Sequence, residues 1–193
     1  MALAKAARAE TEDRFLDAAE RLLAETGHAG ITTRRLAEEA AANHGLVHYY
    51  FGSIENLFAR VLERFTDRLI ARQRTLYSSD APFIEKWRTA MTYLDADRDY
   101  QRVWYELQAL AWSRPELRER VTKVDDAWRA VLRDALAEPL ERYELPIPLD
   151  ALVALVVTFN EGIILERLSG IETGHAELLA WIDAWLTDKE AGK

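Results

Sequence analysis

Asn43-His44-Gly45-Leu46-Val47-His48-Tyr49-Tyr50-Phe51-Gly52-Ser53 puts two imidazoles, two phenols, a carboxamide and a hydroxyl into one short stretch. His44 and His48 are four positions apart, so on a helix they share a face at metal-ligand spacing. The chain has no cysteine and shows no obvious third ligand, so no metal is expected. The stretch has a helix start at Asn43 and a stop at Gly52. Successive residues of such a helix lie about 100° apart, so Leu46 and Val47 cannot both face inward. Val47 and Phe51, four apart, are expected in the core, and Leu46 is expected to face a partner. His44, His48, Tyr49 and Tyr50 then present donors, acceptors and flat apolar faces without large charge, and Gly45 allows close approach. Such side chains suit base edges, thymine methyls and phosphate oxygens in a major groove. The competing reading is a half-buried aromatic cluster that includes Tyr50 and Phe51.

The segment before it is a second short helix, from Thr33 to about Ala40, capped by Thr32. The turn Ala41-Ala42 separates the two, which makes helix, tight turn, helix. Arg34 and Arg35 fall in the first turn, where the partial positive charge of a helix N-terminus disfavours cations. A phosphate docked there would reverse the sign, taking hydrogen bonds from free N–H groups and charge from an arginine. Equally, the arginines can pair with Glu38 or Glu39 at helical spacing.

The elements that must position these groups also read at the helical period. Phe15, Leu16, Ala19, Leu22 and Leu23 make a first stripe ending near Gly27. Ser53 heads a long helix with Leu57, Phe58, Val61, Leu62, Phe65 and Leu69, running to about Tyr77. Breaks follow at residues 78–82 and 95–97. Pro115 starts another helix, which Pro139 is expected to kink or end. Residues 149–168 and 174–187 form the last two helices. No alternating strand pattern or repeat is visible, so the fold is expected to be all-α with about nine helices. Glycine-rich phosphate loops, Gly-x-Ser-x-Gly and His-Glu-x-x-His are all absent, and no enzyme is expected.

The 193 residues carry a formal charge of −8, unevenly spread. Residues 1–76 hold 11 basic and 11 acidic residues, whereas residues 77–193 hold 14 and 22. Any DNA binding must therefore come from local clusters in the neutral N-terminal part. The absence of cysteine fits a reducing cytoplasm, the N-terminal residues are too weakly apolar for a signal peptide, and no apolar run reaches the roughly 18 residues of a membrane span.

All six tryptophans lie beyond residue 86. Each can be core, but aromatic groups on adjacent helices also line apolar ligand cavities. Trp87, Trp104, Gln108, Trp128, Phe159 and Asn160 are the candidate effector residues. Asn160 and Glu106 interrupt apolar runs and each needs a polar partner, whether a ligand, a backbone carbonyl or water. Residues 149–168 are apolar nearly all round, so that helix is expected to be buried on two sides. Val153, Val157, Gly162 and Ile164, with Leu178, Trp181, Ile182 and Trp185 on the last helix, are expected to pair across a two-fold axis as a four-helix bundle. The alternative is packing within one chain only.

Ile31-Thr32-Thr33-Arg34-Arg35-Leu36-Ala37-Glu38-Glu39-Ala40, three residues, then His44 to Leu57 resemble the DNA-binding domain of TetR-type transcriptional regulators, over roughly residues 8–65. The resemblance implies a DNA-binding domain at residues 1–53, and at 54–193 a ligand-binding and dimerisation domain. It implies a homodimer that places one short helix of each subunit in a double-stranded, pseudo-palindromic operator. It further implies repression relieved by a small, mainly apolar effector. DNA contacts carried over by position fall on Thr33, Arg34, His44, Gly45, Leu46, His48, Tyr49 and Tyr50, and Arg35 joins them as the second arginine in the first turn of its helix. Three departures stand out. Ala41-Ala42 replaces the usual Gly-Val, Asn43-His44 replaces the common Ser-Lys, and Ile54 replaces a lysine that contacts phosphate. The last loss leaves open a small-molecule or protein-binding module whose N-terminal domain no longer binds DNA. If His44 or His48 meets phosphate, operator affinity should rise as pH falls from about 7.5 to about 6, because only protonated imidazole supplies a counter-charge.

Overall fold

The computed structural model describes residues 2–192, with side chains for all of these except residues 2–5 and Glu116. Met1, the first residue of the expected N-terminal domain, lies outside the described residues. Among them nine α-helices follow in order: α1 (Ala2–Thr26), α2 (Thr33–Glu39), α3 (Gly45–Phe51), α4 (Ile54–Tyr77), α5 (Phe83–Ala96), α6 (Arg98–Trp112), α7 (Pro115–Arg142), α8 (Leu149–Leu168) and α9 (His175–Glu190). A 3₁₀ turn at His28–Gly30 joins the first two. Ser53 opens α4 as expected, its Oγ accepting from Asn56 N at 3.1 Å. Of the two expectations for Pro139, an end to the helix is corrected, because α7 continues to Arg142. Pro139 stands within the last turn, where few later residues depend on the helix continuing, so the missing N–H removes little of the ladder.

The chain divides into two compact units, Met1–Asp67 with Asp99–Val124, and Arg68–Arg98 with Asp125–Lys193. The α4 and α7 helices contribute to both. In the first unit Phe15, Leu23, Leu36, Val47, Leu57 and Leu62 are fully enclosed. The α4–α6 packing is closed by Phe65 stacked on Tyr100 at 4.8 Å and by a Thr66–Tyr100 hydroxyl pair at 3.0 Å. Arg64 ties α4 to α1 through Glu20 and Asp17, each at 2.8 Å.

The end of α1 is gripped by α6. Glu106 Oε2 accepts from His28 N at 2.5 Å and lies 3.0 Å from His28 Nδ1. Arg102 Nε in turn donates to Glu106 Oε1 at 3.4 Å. The partner that the sequence demanded for Glu106 is thus protein, at the turn that feeds α2. Gly27 makes this possible. Its φ of 69° and ψ of 173° lie where essentially only glycine goes. A Cβ there would stand 2.5 Å from Glu106 Oε1. We expect Gly27→Ala to lower stability by about 2 kcal/mol, measured by urea unfolding, since backbone strain and a displaced carboxylate act together.

In the second unit Leu132 and Leu136 of α7 pack against Leu152, Val153 and Val157 of α8. Ile84, Tyr143 and Leu186 join α5, the end of α7 and α9. Arg88 holds Asp183 in a two-pronged pair at 2.6 and 2.8 Å. This arginine lowers the Asp183 carboxyl pKa below its ordinary value. Glu190 collects Tyr143 Oη at 2.6 Å and Arg142.

Candidate nucleic-acid interface

Thr32 caps α2 as expected, its Oγ1 accepting from Arg35 N at 3.1 Å. Leu36, Ala37 and Ala40 turn inward and anchor the helix. Ala41 follows with φ +48°, in the left-handed region that favours glycine. This backbone explains why glycine is usual at that place in the resembled pattern. Asn43 Oδ1 then accepts from Gly45 N at 2.9 Å. The expected start is therefore corrected by two residues. Asn43 closes a side-chain turn ahead of α3, and the helix proper begins at Gly45. Gly52 stops it with φ +75°, its N–H donating to His48 O at 3.0 Å.

The α3 helix has a buried and an exposed face, with Leu46 and Tyr50 between them. Val47 and Phe51 are buried, with Phe51 edge-on to Phe15 at 6.2 Å. His44, Gly45 and His48 are exposed, and Tyr49 is 68% exposed. Tyr50 is half-buried, its ring 6.4 Å from Phe15, so it belongs partly to the aromatic cluster. Leu46, expected to be exposed towards a partner, is half-buried. His48 Nδ1 lies 3.0 Å from Gly52 O, which as the Nδ1–H tautomer steadies the ring. Thr33 is half-buried at the start of α2. Arg34 is exposed and donates to Glu38 Oε1 at 3.0 Å, while Arg35 reaches back to Gly30 O at 3.2 Å. In the free chain, then, Arg34 is paired along its own helix. One neighbour escaped the sequence reading: the Arg8 guanidinium of α1 stands 5.7 Å from the Tyr49 ring centroid and 5.5 Å from that of Tyr50. Its helical pairing with Glu12 is legible in sequence, but its approach to α3 is not.

The candidate effector residues are divided between the two units. Trp104 and Gln108 are half-buried in the first unit. Trp87 packs on the Ile84–Leu186 cluster and Trp128 on the Leu132–Val157 cluster. Phe159 and Asn160 are half-buried on α8, and Asn160 Oδ1 is buried without a hydrogen-bond partner. Gln73 Oε1 on α4 is buried and unpartnered too, although nothing in the sequence marked it. A cavity of 500 Å³ opens between Tyr77, Phe83 and Pro139, rimmed by Lys86, Glu138 and Glu190, and it is lined by none of the six candidates. Burial raises the Tyr77 phenol pKa to about 12.

For the expected interface, Val153 and Val157 must be withdrawn, since both are enclosed in the core of their own chain. The α8 sequence is apolar on every side, so its periodicity could not choose the inward face. Ile164 is half-buried and Gly162 exposed. On α9, Ile182 and Trp185 pack inward against the Ile84 cluster, leaving Leu178 and Trp181 outside. Leu155 and Leu165 are the large apolar side chains that α8 exposes.

Residues 15–61 match the family model described as bacterial regulatory proteins, tetR family. Residues 78–188 match the tetracyclin repressor-like C-terminal domain. The chain is 26% identical over 169 residues to the HTH-type transcriptional repressor AcnR of Corynebacterium diphtheriae, with 84% of each chain covered. It is 28% identical over 176 residues to the HTH-type transcriptional repressor SCO4008 of Streptomyces coelicolor, covering 86% of this chain and 85% of that one. Among solved structures, the transcriptional regulator FadR from Bacillus subtilis in complex with stearoyl-CoA gives a TM-score of 0.71 at 18% identity, covering 90% of this chain and 96% of that chain. That likeness shows the fold alone.

Proposed function

Because this chain belongs to the tetR family of bacterial regulatory proteins, transcriptional regulators with a helix-turn-helix DNA-binding domain, we propose that it is a repressor. In this reading it grips a pseudo-palindromic operator as a homodimer and releases it when a small molecule binds. The observation that carries this reading is the two-faced α3. Val47 and Phe51 fix the helix to the core, and His44, Gly45, His48 and Tyr49 are left outside. Side chains of this kind read base edges and phosphates in a major groove. Residues 1–53 would do the binding, and residues 54–193 the sensing and pairing.

Sensing is assigned to the second unit and to a small, mainly apolar effector that carries a hydrogen-bond donor. Gln73 Oε1 and Asn160 Oδ1 support this, since each is a buried acceptor with an unmade bond. An unmade bond of this kind costs about 1–3 kcal/mol, which a ligand hydroxyl or amide would recover. FadR of Bacillus subtilis was solved with stearoyl-CoA, an acyl chain on a polar head, and such amphiphiles belong among the first compounds to screen. To release DNA the effector must favour one half-site spacing over another. The α4 helix, which begins at the DNA-binding end and belongs to both units, is the proposed lever.

The test is a gel shift of the full chain on the DNA upstream of its own coding sequence. A discrete retarded band that survives competitor DNA is expected. Retardation no stronger than on a scrambled duplex would refute operator binding.

A further inference from the structure

Residues 36–59 span α3 and both of its flanking turns, and they contain no lysine or arginine. Affinity for duplex DNA comes largely from cations set against phosphates, with release of condensed counterions. A helix that enters the groove with no permanent cation of its own needs one brought from elsewhere in the fold. Arg8 meets that need. It lies two turns into α1, far from α3 in sequence, with its guanidinium over both Tyr49 and Tyr50 at 5.7 and 5.5 Å from the ring centroids. The two rings meet edge-on at 5.0 Å, and the guanidinium lies within cation–π reach of both. The Arg8 side chain is 54% exposed and its Nε donates to Glu12 Oε1 at 2.9 Å.

A surface pair of arginine and glutamate one turn apart is ordinary and contributes little. It does not account for the second feature, the placement of the charge on the most exposed aromatic surface of α3. A guanidinium has five donors in a planar fork that matches a phosphate, and the Glu12 bond uses one of them. Attraction to the two rings holds the guanidinium at α3 and limits the freedom lost on binding.

We propose that Arg8 is a DNA-phosphate contact, a cation lent to α3 by α1. Glu12 holds it in the free protein and yields it to a backbone phosphodiester when α3 enters the groove. The inference rests on the reading of α3 as the DNA-reading helix. It assigns Arg8 to positioning on the backbone, not to reading bases.

The experiment measures binding of the full chain to its upstream DNA, and to a scrambled duplex of equal length, across a salt series. Arg8→Ala should weaken binding roughly three- to tenfold on both duplexes, because phosphate contacts carry no sequence information. It should also make the slope of log K against log salt shallower by about 0.9 for each bound subunit. Arg8→Lys should keep the slope, having kept the charge. Glu12→Gln should tighten binding on both duplexes by freeing the guanidinium, an effect of opposite sign that loss of packing cannot produce. An unchanged slope for Arg8→Ala overturns the proposal, whether affinity holds or falls, since a fall alone would mean only disturbed tyrosines. If the unmodified chain binds no duplex, the reading of α3 falls with it. If the unmodified chain binds and Arg8→Ala matches it, only the role of Arg8 is lost.

Discussion

Tyr49→Ala is expected to lower operator affinity by one to two orders of magnitude while weakening binding to scrambled DNA far less. Lost base contacts cost about 1–3 kcal/mol each and phosphate contacts remain. The side chain is 68% exposed, so the folded chain has little to lose. Its ring contact with Tyr50 at 5.0 Å and the Arg8 guanidinium above it are surface interactions. Stability should therefore stay within about 1 kcal/mol of the unmodified chain. The contrast with Phe51 is instructive. It lies two residues on in the same helix, but is buried against Phe15, where truncation would unfold the domain before it tested recognition. Competition binding with thermal unfolding as control decides the matter. A Tyr49→Ala variant that holds its operator as tightly as the unmodified chain would remove α3 as the reading element.

Trp181→Asp is expected to convert the proposed dimer into single chains and, with that, to reduce operator affinity by a hundredfold or more. Trp181 on α9 is 64% exposed, and Leu178 lies three positions before it, on the same face. On α8, Leu155 and Leu165 are exposed as well. Exposed apolar side chains of this size are out of place against water and suit a second copy of the chain, in which each substitution acts twice. Burial of a large apolar side chain contributes about 1.5–3 kcal/mol. Two tryptophans lost and two carboxylates placed at the seam therefore exceed the roughly 4 kcal/mol that separate a micromolar dimer from a millimolar one. Light scattering should find twice the 22.1 kDa chain mass for the unmodified protein and one chain mass for the variant. A monomer at micromolar concentration in the unmodified protein would refute the bundle.

Helix placement in this protein was legible from its residues, because caps and periodicity are local properties of the backbone. Thr32 and Ser53 cap where they stand, Gly52 stops α3, and residues 149–168 form α8 as read. Val47 and Phe51 fall inside because four residues return a helix to the same face. The alternation of inward apolar and outward histidine and tyrosine on α3, which is most of the candidate interface, was thus already written in residues 43–51. The local pattern failed where it was uniform. The α8 helix offers apolar residues on every side, so Val153 and Val157 could equally have faced out, and only packing against Leu132 and Leu136 of α7 turned them in. What tertiary structure alone decided are the meetings of residues distant in sequence. These include Glu106 on the backbone of His28, Arg8 over Tyr49 and Tyr50, and the choice between core and surface for each tryptophan. Such contacts depend on the crossing of whole helices, which no spacing within one helix encodes, and in this protein they bring the charge to the helix that lacks it.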